Sequence, residues 1–276
     1  MTAMRPGFLF PRRSATTAWP VCRLCPGLAL ELGSVRTRAW ELGRGIIFDT
    51  PTVTFPGIGG SAPIQRGNIV DVGGVAHMLE RLLARRVLRS GRPLIVLTTP
   101  VLGGIAYRKA ARTALEVLQP RTVLTLPSAT AVALGSGKDM NRPLLIVDVG
   151  AHLTEVFLLT DGAVVDAHSL VLGTEDLNKT TTYRDVTEAV TATVTAMLRA
   201  DRTAQTLDAL HNGVFLAGGG ALRPEFAHRL TDELRVPVRP VPAPHQAALR
   251  GAAKILESAH RHPSVTALAD HLPTTS

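Results

Sequence analysis

The stretch 144–172, LLIVDVGAHLTEVFLLTDGAVVDAHSLVL, limits the possible folds of this chain more than any other part of the sequence. Its apolar run ends at an acid and a glycine, and the pattern then turns back twice. We predict strands over 144–147, 156–160 and 163–172. The pair Asp161-Gly162 predicts a tight turn between the last two strands.

The first turn of this meander carries an acid and a glycine. Asp148 would stand at a strand end, beside a turn that Gly150 permits. A carboxylate there can hold the water shell of a metal ion, while the N–H groups of the turn face an anion. An ordinary hairpin, in which both residues serve only the turn, explains the segment equally well when it is taken alone.

A similar pattern occurs near the start of the chain. Strands are predicted over 28–32, 36–42 and 45–48, and their first turn follows the sequence ELGS at 31–34. Asp148 lies 117 residues after Glu31, so the repeated unit has the size of a domain and is not a solenoid repeat. Two such halves predict one nucleotide cleft between two related lobes.

A third glycine-rich turn follows the strand predicted at 214–217. Gly218, Gly219 and Gly220 leave the backbone bare for a flat ligand, and the helix that begins near Pro224 favours anions at its N-terminus. The other predicted elements are strands at 51–55, 94–97 and 123–126, and helices at 72–83, 105–118, 129–134, 183–198 and 246–258.

Composition restricts the classes of partner. The net charge is +8, but the basic residues are spread along the chain and aromatic residues make up only 4%, so base-stacking nucleic-acid platforms are not expected. A helical stripe of His77, Arg81, Arg85 and Arg89 predicts either a solvated face or contact with an acidic partner. Two cysteines indicate a reducing, cytoplasmic setting.

Four regions are predicted along the chain. Residues 1–27 form a basic, proline-interrupted arm, which we expect to be disordered or in peripheral contact with a membrane. Residues 28–142 and 143–260 form the two lobes. Residues 261–276 form a loose tail.

Taken together, these segments resemble the MreB and Mbl rod-shape-determining proteins of the actin-like superfamily. The resemblance runs from about residue 28 to 257, and its order and spacing make it specific. It is carried by LELGS at 30–34, GRGIIFDTPTV at 43–53, PIQRGNIVDVGGVAHML at 63–79, IVDVGAHLTEV at 146–156, VFLAGGGALR at 214–223 and ALRGAAK at 248–254.

The resemblance implies a fold, a cofactor and a site. The fold would be α/β, with two ribonuclease-H-like lobes of mixed sheets flanked by helices, and ATP with magnesium would lie in the cleft between them. Glu31 and Asp148 would hold the magnesium shell. The nucleotide-binding residues implied are Glu31, Gly33, Ser34, Asp148, Gly150, Thr154, Glu155, Gly218, Gly219 and Gly220.

The chain also departs from the family pattern. Glu31 replaces an aspartate, and Ala151 and His152 replace glycines of the second loop, where Leu153 also replaces a threonine. Ile105 and Tyr107 stand at the acid positions of the following helix, one of which orients the attacking water. These departures predict weak ATP binding and negligible hydrolysis. The short connections at 55–63 and 177–183 predict the loss of both small outer subdomains.

The function predicted from these features is that of a short actin-like protein of the cell-shape machinery. It would act through a full-length actin-like relative or an envelope-associated protein, because the loss of outer subdomains removes interface area. The alternative is an ATP-dependent enzyme of the sugar- or acid-kinase type, for which Asp49 and Asp71 remain unassigned acids. Nucleic-acid binding is the least favoured of the three.

Overall fold

A computed structural model describes residues 26–55, 62–84 and 91–261 of the 276-residue chain. The predicted arm up to residue 25, the glycine-rich stretch 56–61, residues Arg85 and Arg89 of the basic stripe, and the tail from 262 lie outside these ranges. Within them, two five-stranded sheets with flanking helices form two lobes, which confirms the predicted α/β class. No described helix is both long and apolar enough to cross a membrane.

The first lobe is built on a mixed sheet. Three antiparallel strands are followed, after a small hairpin and a helix, by two strands parallel to the first, and the order across the sheet is β3-β2-β1-β6-β7. The strands are β1 (Gly27–Leu32), β2 (Arg36–Glu41), β3 (Gly45–Pro51), β6 (Leu94–Thr99) and β7 (Thr122–Pro127), and the hairpin is β4 (Ile64–Gln65) with β5 (Asn68–Ile69). The helices are α1 (Val72–Leu79), continued by a π-helical turn (Glu80–Ala84), and α2 (Gly104–Leu115), continued by a 3-10 turn (Glu116–Leu118).

The second lobe repeats this topology, with the order β10-β9-β8-β11-β12. Its first strand, like β1, is central in the sheet and reads as an almost continuous apolar run because both faces are covered. The strands are β8 (Leu144–Val149), β9 (Thr154–Thr160), β10 (Ala163–Leu170), β11 (Val214–Ala217) and β12 (Val238–Pro240). The helices that follow are α4 (Tyr183–Ala200), α5 (Gln205–His211) and α6 (Pro224–Leu234).

Local signals explain where two helices of the second lobe begin. Thr182 and Asp185 form a reciprocal capping box at the start of α4, whose buried stripe of Val186, Val190, Val194 and Met197 has helical spacing. Pro224 occupies the first turn of α6, where its missing N–H costs nothing.

The strand predicted at 51–55 is wrong. β3 ends at Pro51, and the next residue leaves the sheet to support the first turn of the lobe. Thr52 N donates to Val35 O at 2.8 Å, and Thr52 Oγ1 donates to Gly33 O at 2.7 Å. The strand does not continue past Pro51, because the hydrogen bonds of Thr52 serve a turn and not a sheet ladder.

Two helices cross between the lobes. Helix α3 (Ser128–Ser136) follows the first sheet in sequence but packs in the core of the second, against Ile146 and Phe157. Helix α7 (Ala247–Arg261) follows the second sheet but packs on the first, against Ala29 and Val96. The predicted boundary between residues 142 and 143 remains a prediction, and each lobe takes a helix from the sequence of the other.

Glycines allow the backbones of α3 and α7 to touch. A Cβ atom on Gly135 would lie 1.9 Å from the carbonyl oxygen of Ala247, and one on Gly251 would lie 1.8 Å from that of Ala131. Any side chain at either position would therefore force the two helices apart.

We predict that Gly251→Ala lowers the free energy of unfolding by at least about 2 kcal/mol, because the added methyl group overlaps backbone and no flexible side chain can yield. Gly73→Ala is the matched control, since its Cβ atom would make only an ordinary 3.6 Å contact with Asp71 Oδ1. That variant is expected to leave stability unchanged or raise it by up to about 1 kcal/mol. Equal urea-unfolding curves for the two variants would contradict this account of the crossing.

Candidate functional site

A cleft of about 310 Å³ lies between the two lobes. It is lined by the first turn of each meander, by the glycine turn after β11 and by the start of α7. Eight of the ten predicted nucleotide-binding residues line it, namely Glu31, Gly33, Ser34, Asp148, Gly150, Glu155, Gly218 and Gly219. The fold thus brings together three turns that are far apart in sequence.

The first turns of the two meanders have the same geometry. Gly33 N donates to Arg36 O at 3.1 Å, and Gly150 N donates to Leu153 O at 2.9 Å. A Cβ atom would lie 2.8 Å from the same carbonyl oxygen in the first turn and 2.7 Å in the second. Close approach of the backbone is therefore what requires glycine at both positions.

The three glycines after β11 serve different purposes. Gly218 has a φ of +82°, and a Cβ atom there would lie 2.3 Å from Val149 O. Gly220 packs on the side chain of Val149, where a Cβ atom would lie 2.4 Å from Cγ1. Only Gly219 has open space above its Cα atom, so it presents bare backbone to the cleft.

Two predicted residues do not line the cleft. Thr154 is fully buried, and its Oγ1 atom donates to Leu172 O at 2.8 Å, so it holds the end of β10 against β9. Gly220 is engaged with Val149 as described above. Both residues shape the site from behind and do not face a ligand.

Glu155 is a buried carboxylate that fastens neighbouring segments. It accepts hydrogen bonds from Val101 N at 2.8 Å and Ser128 Oγ at 2.7 Å, and thereby ties β9 to the chain after β6 and to the start of α3. Burial raises its pKa, and these hydrogen bonds oppose the rise. Its contacts give it a structural role beside the cleft.

Asp148 lies beside this group and has a strongly perturbed pKa. Burial, together with the negative charges of Glu155 and Glu31, raises the pKa of Asp148 to about 8, and the positive charge of Arg38 opposes the rise. A proton or a positively charged group that reaches the Asp148 carboxyl group therefore stabilises it.

The corresponding acid of the first lobe has a different neighbour. Glu31 pairs in register with Arg38 across β1 and β2, as Asp148 pairs with Glu155 across β8 and β9. Arg38 Nη1 donates to Glu31 Oε1 at 3.0 Å, and Arg38 Nε lies 3.0 Å from Asp49 Oδ2. The sequence reasoning missed Arg38, although the register of the predicted meander contained the signal.

The predicted magnesium ligands were Glu31 and Asp148. Both line the cleft, but Oε1 of Glu31 already accepts a hydrogen bond from the Arg38 guanidinium. The other carboxylate oxygen, Oε2, is buried and has no hydrogen-bond partner among the described residues. In the described ranges no group of three or more acidic, histidine or cysteine side chains is arranged to hold a metal ion. A two-carboxylate magnesium site does not fit a carboxylate that is bound to arginine, because the cation would stand beside a second positive charge.

The two positions expected to carry an acid on α2 differ in exposure. Ile105 is 78% exposed on the outer surface, whereas Tyr107 is 3% exposed and lines the cleft. Tyr107 Oη donates to Leu32 O at 3.4 Å, and burial together with Glu155 and Glu31 raises its pKa, so the hydroxyl stays neutral. Position 107 is thus the one that faces the site.

Further side-chain contacts join the lobes across the cleft. His152 Nδ1 lies 3.1 Å from Ser34 Oγ and links the two first turns, so this ring atom is engaged and does not point freely at a ligand. At the rim, Arg66 of the β4–β5 hairpin donates to Val171 O at 3.1 Å and to Asp176 Oδ1 at 2.9 Å. The small hairpin therefore closes one side of the cleft.

We predict that Asp148→Asn removes a pH-dependent destabilisation. The pKa of Asp148 is about 8 in the folded chain and 3.8 by reference, so folding binds a proton and wild-type stability falls as pH rises from about 4 to about 8. The variant should be more stable than wild type at pH 8.5 and should lose this advantage towards pH 4. Asp232→Asn, at an exposed position on α6, is the control for loss of a charge. Parallel melting-temperature profiles for wild type and Asp148→Asn would contradict the assignment.

Comparisons with known proteins agree on one family. The family profile described as MreB/Mbl protein matches residues 54–184 and 180–264. The cell shape-determining protein Mbl of Bacillus cereus is 23% identical over 323 residues, covering 86% of this chain and 97% of that protein. Because this alignment is longer than the 276-residue chain, the relative carries segments that have no counterpart here.

Solved structures support the same fold. MreB5 of Spiroplasma citri bound to ADP has a TM-score of 0.75 at 14% identity, covering 88% of this chain and 99% of that one. The MamK double helical filament has a TM-score of 0.67 at 16% identity, covering 90% and 99%. With a profile match over most of its length and the duplicated two-lobe fold, the chain belongs to the MreB/Mbl family of bacterial actin-like cytoskeletal proteins.

Proposed function

We propose that this chain is a reduced cell-shape protein that binds an adenine nucleotide weakly, hydrolyses it negligibly and acts through a longer actin-like relative or an envelope-associated protein. Tyr107 carries the proposal, because it fills the wall of the cleft where the family has an acid. The proposed setting is cytoplasmic, with peripheral membrane contact through residues 1–27.

Nucleotide binding is supported by the cleft and by a relative. The solved structure of MreB5 holds ADP. In this chain, Gly219 offers bare backbone, and the turns at Gly33 and Gly150 retain the close backbone geometry described above. Ala151 adds a side chain to the second turn, and His152 spans to Ser34, so the space left for phosphates is reduced. Weak binding is the expected result.

Negligible hydrolysis follows from the wall of the cleft. In-line attack on a phosphate requires a group that accepts a hydrogen bond from the attacking water and orients it. Tyr107 is neutral and donates its hydroxyl hydrogen to Leu32 O. Glu155 is committed to Val101 and Ser128, so neither side chain is placed to act as a base.

Limited self-assembly is supported by the connection at 177–183. Asn178 Oδ1 accepts from Thr180 N at 2.7 Å and from Thr181 N at 2.9 Å, which folds this segment into a tight turn between Leu177 and α4. No outer subdomain is present at this point of the described chain. The surface available for a filament contact is correspondingly smaller, and a stable interface needs about 1,000 Å² in total.

The kinase-type alternative is less favoured, because its two candidate acids have structural partners. Asp49 is bound by Arg36 and Arg38. Asp71 caps α1 by accepting from Gly74 N at 2.8 Å. Neither carboxylate is free to serve as the base of a phosphotransferase.

We predict that calorimetry detects ATP binding with a dissociation constant above about 1 µM. Gly219→Leu should weaken binding at least tenfold, by an order-of-magnitude estimate, because the new side chain enters open space in the cleft. Leu222→Ala is the control, since Leu222 lies on the same turn, is 58% exposed and does not line the cleft. Unchanged binding by Gly219→Leu would place the nucleotide elsewhere.

In a phosphate-release assay on the same preparation, wild type should match Asp148→Ala, because Tyr107 and Glu155 are not placed to orient the attacking water. Turnover that exceeds the background of this variant would overturn the proposal of negligible hydrolysis.

We predict that the purified chain alone does not pellet as filaments when ATP is added. Co-pelleting should occur only with a full-length actin-like relative, which supplies the missing contact area. Regular filaments of this chain alone in electron micrographs would contradict the assembly part of the proposal.

A further inference from the structure

We propose that the cleft binds the phosphates of its nucleotide through Arg36 and Arg38 and not through a divalent cation, so that binding is independent of Mg²⁺. This inference rests on the proposed nucleotide binding and specifies its chemistry. It starts from the difference between the two otherwise equivalent lobes.

Arg38 occupies a position that is acidic in the second lobe. Glu31 and Asp148 are each the fifth residue of the first strand of their meander, and their register partners are Arg38 and Glu155. In one lobe the pair is acid and acid, and in the other it is acid and arginine. In the first lobe, the Arg38 guanidinium therefore supplies the positive charge beside Glu31, the acid whose counterpart in the family would help to hold a cation.

The two arginines are held firmly while still lining the cleft. The Arg38 side chain is 10% exposed, and it contacts Glu31 and Asp49 at 3.0 Å each. Arg36 Nη2 donates to the main-chain oxygen of Asp49 at 2.6 Å, and its Nε atom pairs with the carboxylate of the same residue. Long side chains that are already fixed lose little further conformational entropy when they bind a ligand.

These contacts leave donors for an anion. A guanidinium carries five N–H groups, and each of the two arginines uses only some of them in the contacts above. Planar guanidinium groups bind phosphate oxygens through paired, charge-assisted hydrogen bonds. Arg36 and Arg38 are alternate residues of β2 and project to the same face of the sheet, so two such groups face one cleft.

The same geometry disfavours a cation at Glu31. A Mg²⁺ ion bound there would stand next to a guanidinium 3.0 Å from the same carboxylate, with little solvent to screen the repulsion. The Arg38 guanidinium and a Mg²⁺ ion therefore compete for the same position beside the Glu31 carboxylate.

The test is calorimetric titration of the full chain with ATP, once in excess EDTA and once in excess Mg²⁺. We expect dissociation constants that agree within about threefold. Binding only in Mg²⁺ would overturn this inference and leave nucleotide binding intact. Absence of binding in both buffers would overturn the proposed function, and this inference with it. This comparison uses the wild-type chain alone, so its outcome does not depend on whether a variant folds.

Variants at position 38 supply a second readout. Arg38→Leu should lose most ATP binding in EDTA and recover part of it in Mg²⁺, because Glu31 is then free to face a cation. Arg38→Lys should keep binding in EDTA with reduced affinity, since it retains the charge but not the paired donors. Arg44→Leu, at a 62% exposed position on the β2–β3 turn, should match wild type. Unchanged ATP binding in EDTA by Arg38→Leu would refute the role of Arg38.

Discussion

The contact between α3 and α7 is the constraint on which the rest of the structure depends. Gly135 and Gly251 allow the two helix backbones to approach so closely that no side chain fits between them. Each helix is buried on the sheet of the lobe to which it does not belong in sequence. The crossing therefore fixes how the two sheets face each other, and with them the turns that line the cleft.

The two walls of the cleft come from duplicated units that have diverged in charge and not in backbone. The turns at Gly33 and Gly150 make the same hydrogen bond and meet the same steric limit. The acids that precede them have opposite partners, since Asp148 stands beside Glu155 and Glu31 is bound by Arg38. The two walls of the cleft therefore share a backbone shape and differ in their chemistry.

Much of the fold was predictable from local pattern. The two meanders, the glycine turns and most helices follow from apolar periodicity and turn residues, and Glu31, Asp148 and Gly219 reach one cleft as expected. The exchange of α3 and α7 between lobes was not predictable, because it depends on tertiary packing and neither helix carries a sequence signal for its partner. The strand expected at 51–55 failed for a related reason, since Thr52 serves a turn.

The site was predictable in outline but not in its electrostatics. Motif matching finds the acids and glycines, yet it treats Arg38 as an ordinary strand residue. It also treats Thr154 and Gly220 as nucleotide-binding residues, although both are packed behind the cleft. The most direct measurement is a crystal structure of the chain with ADP, grown in EDTA. The account predicts ADP between the two lobes, with its phosphates against Arg36 and Arg38 and its base side towards Gly219. ADP bound outside this cleft, or phosphates that contact neither arginine, would contradict it.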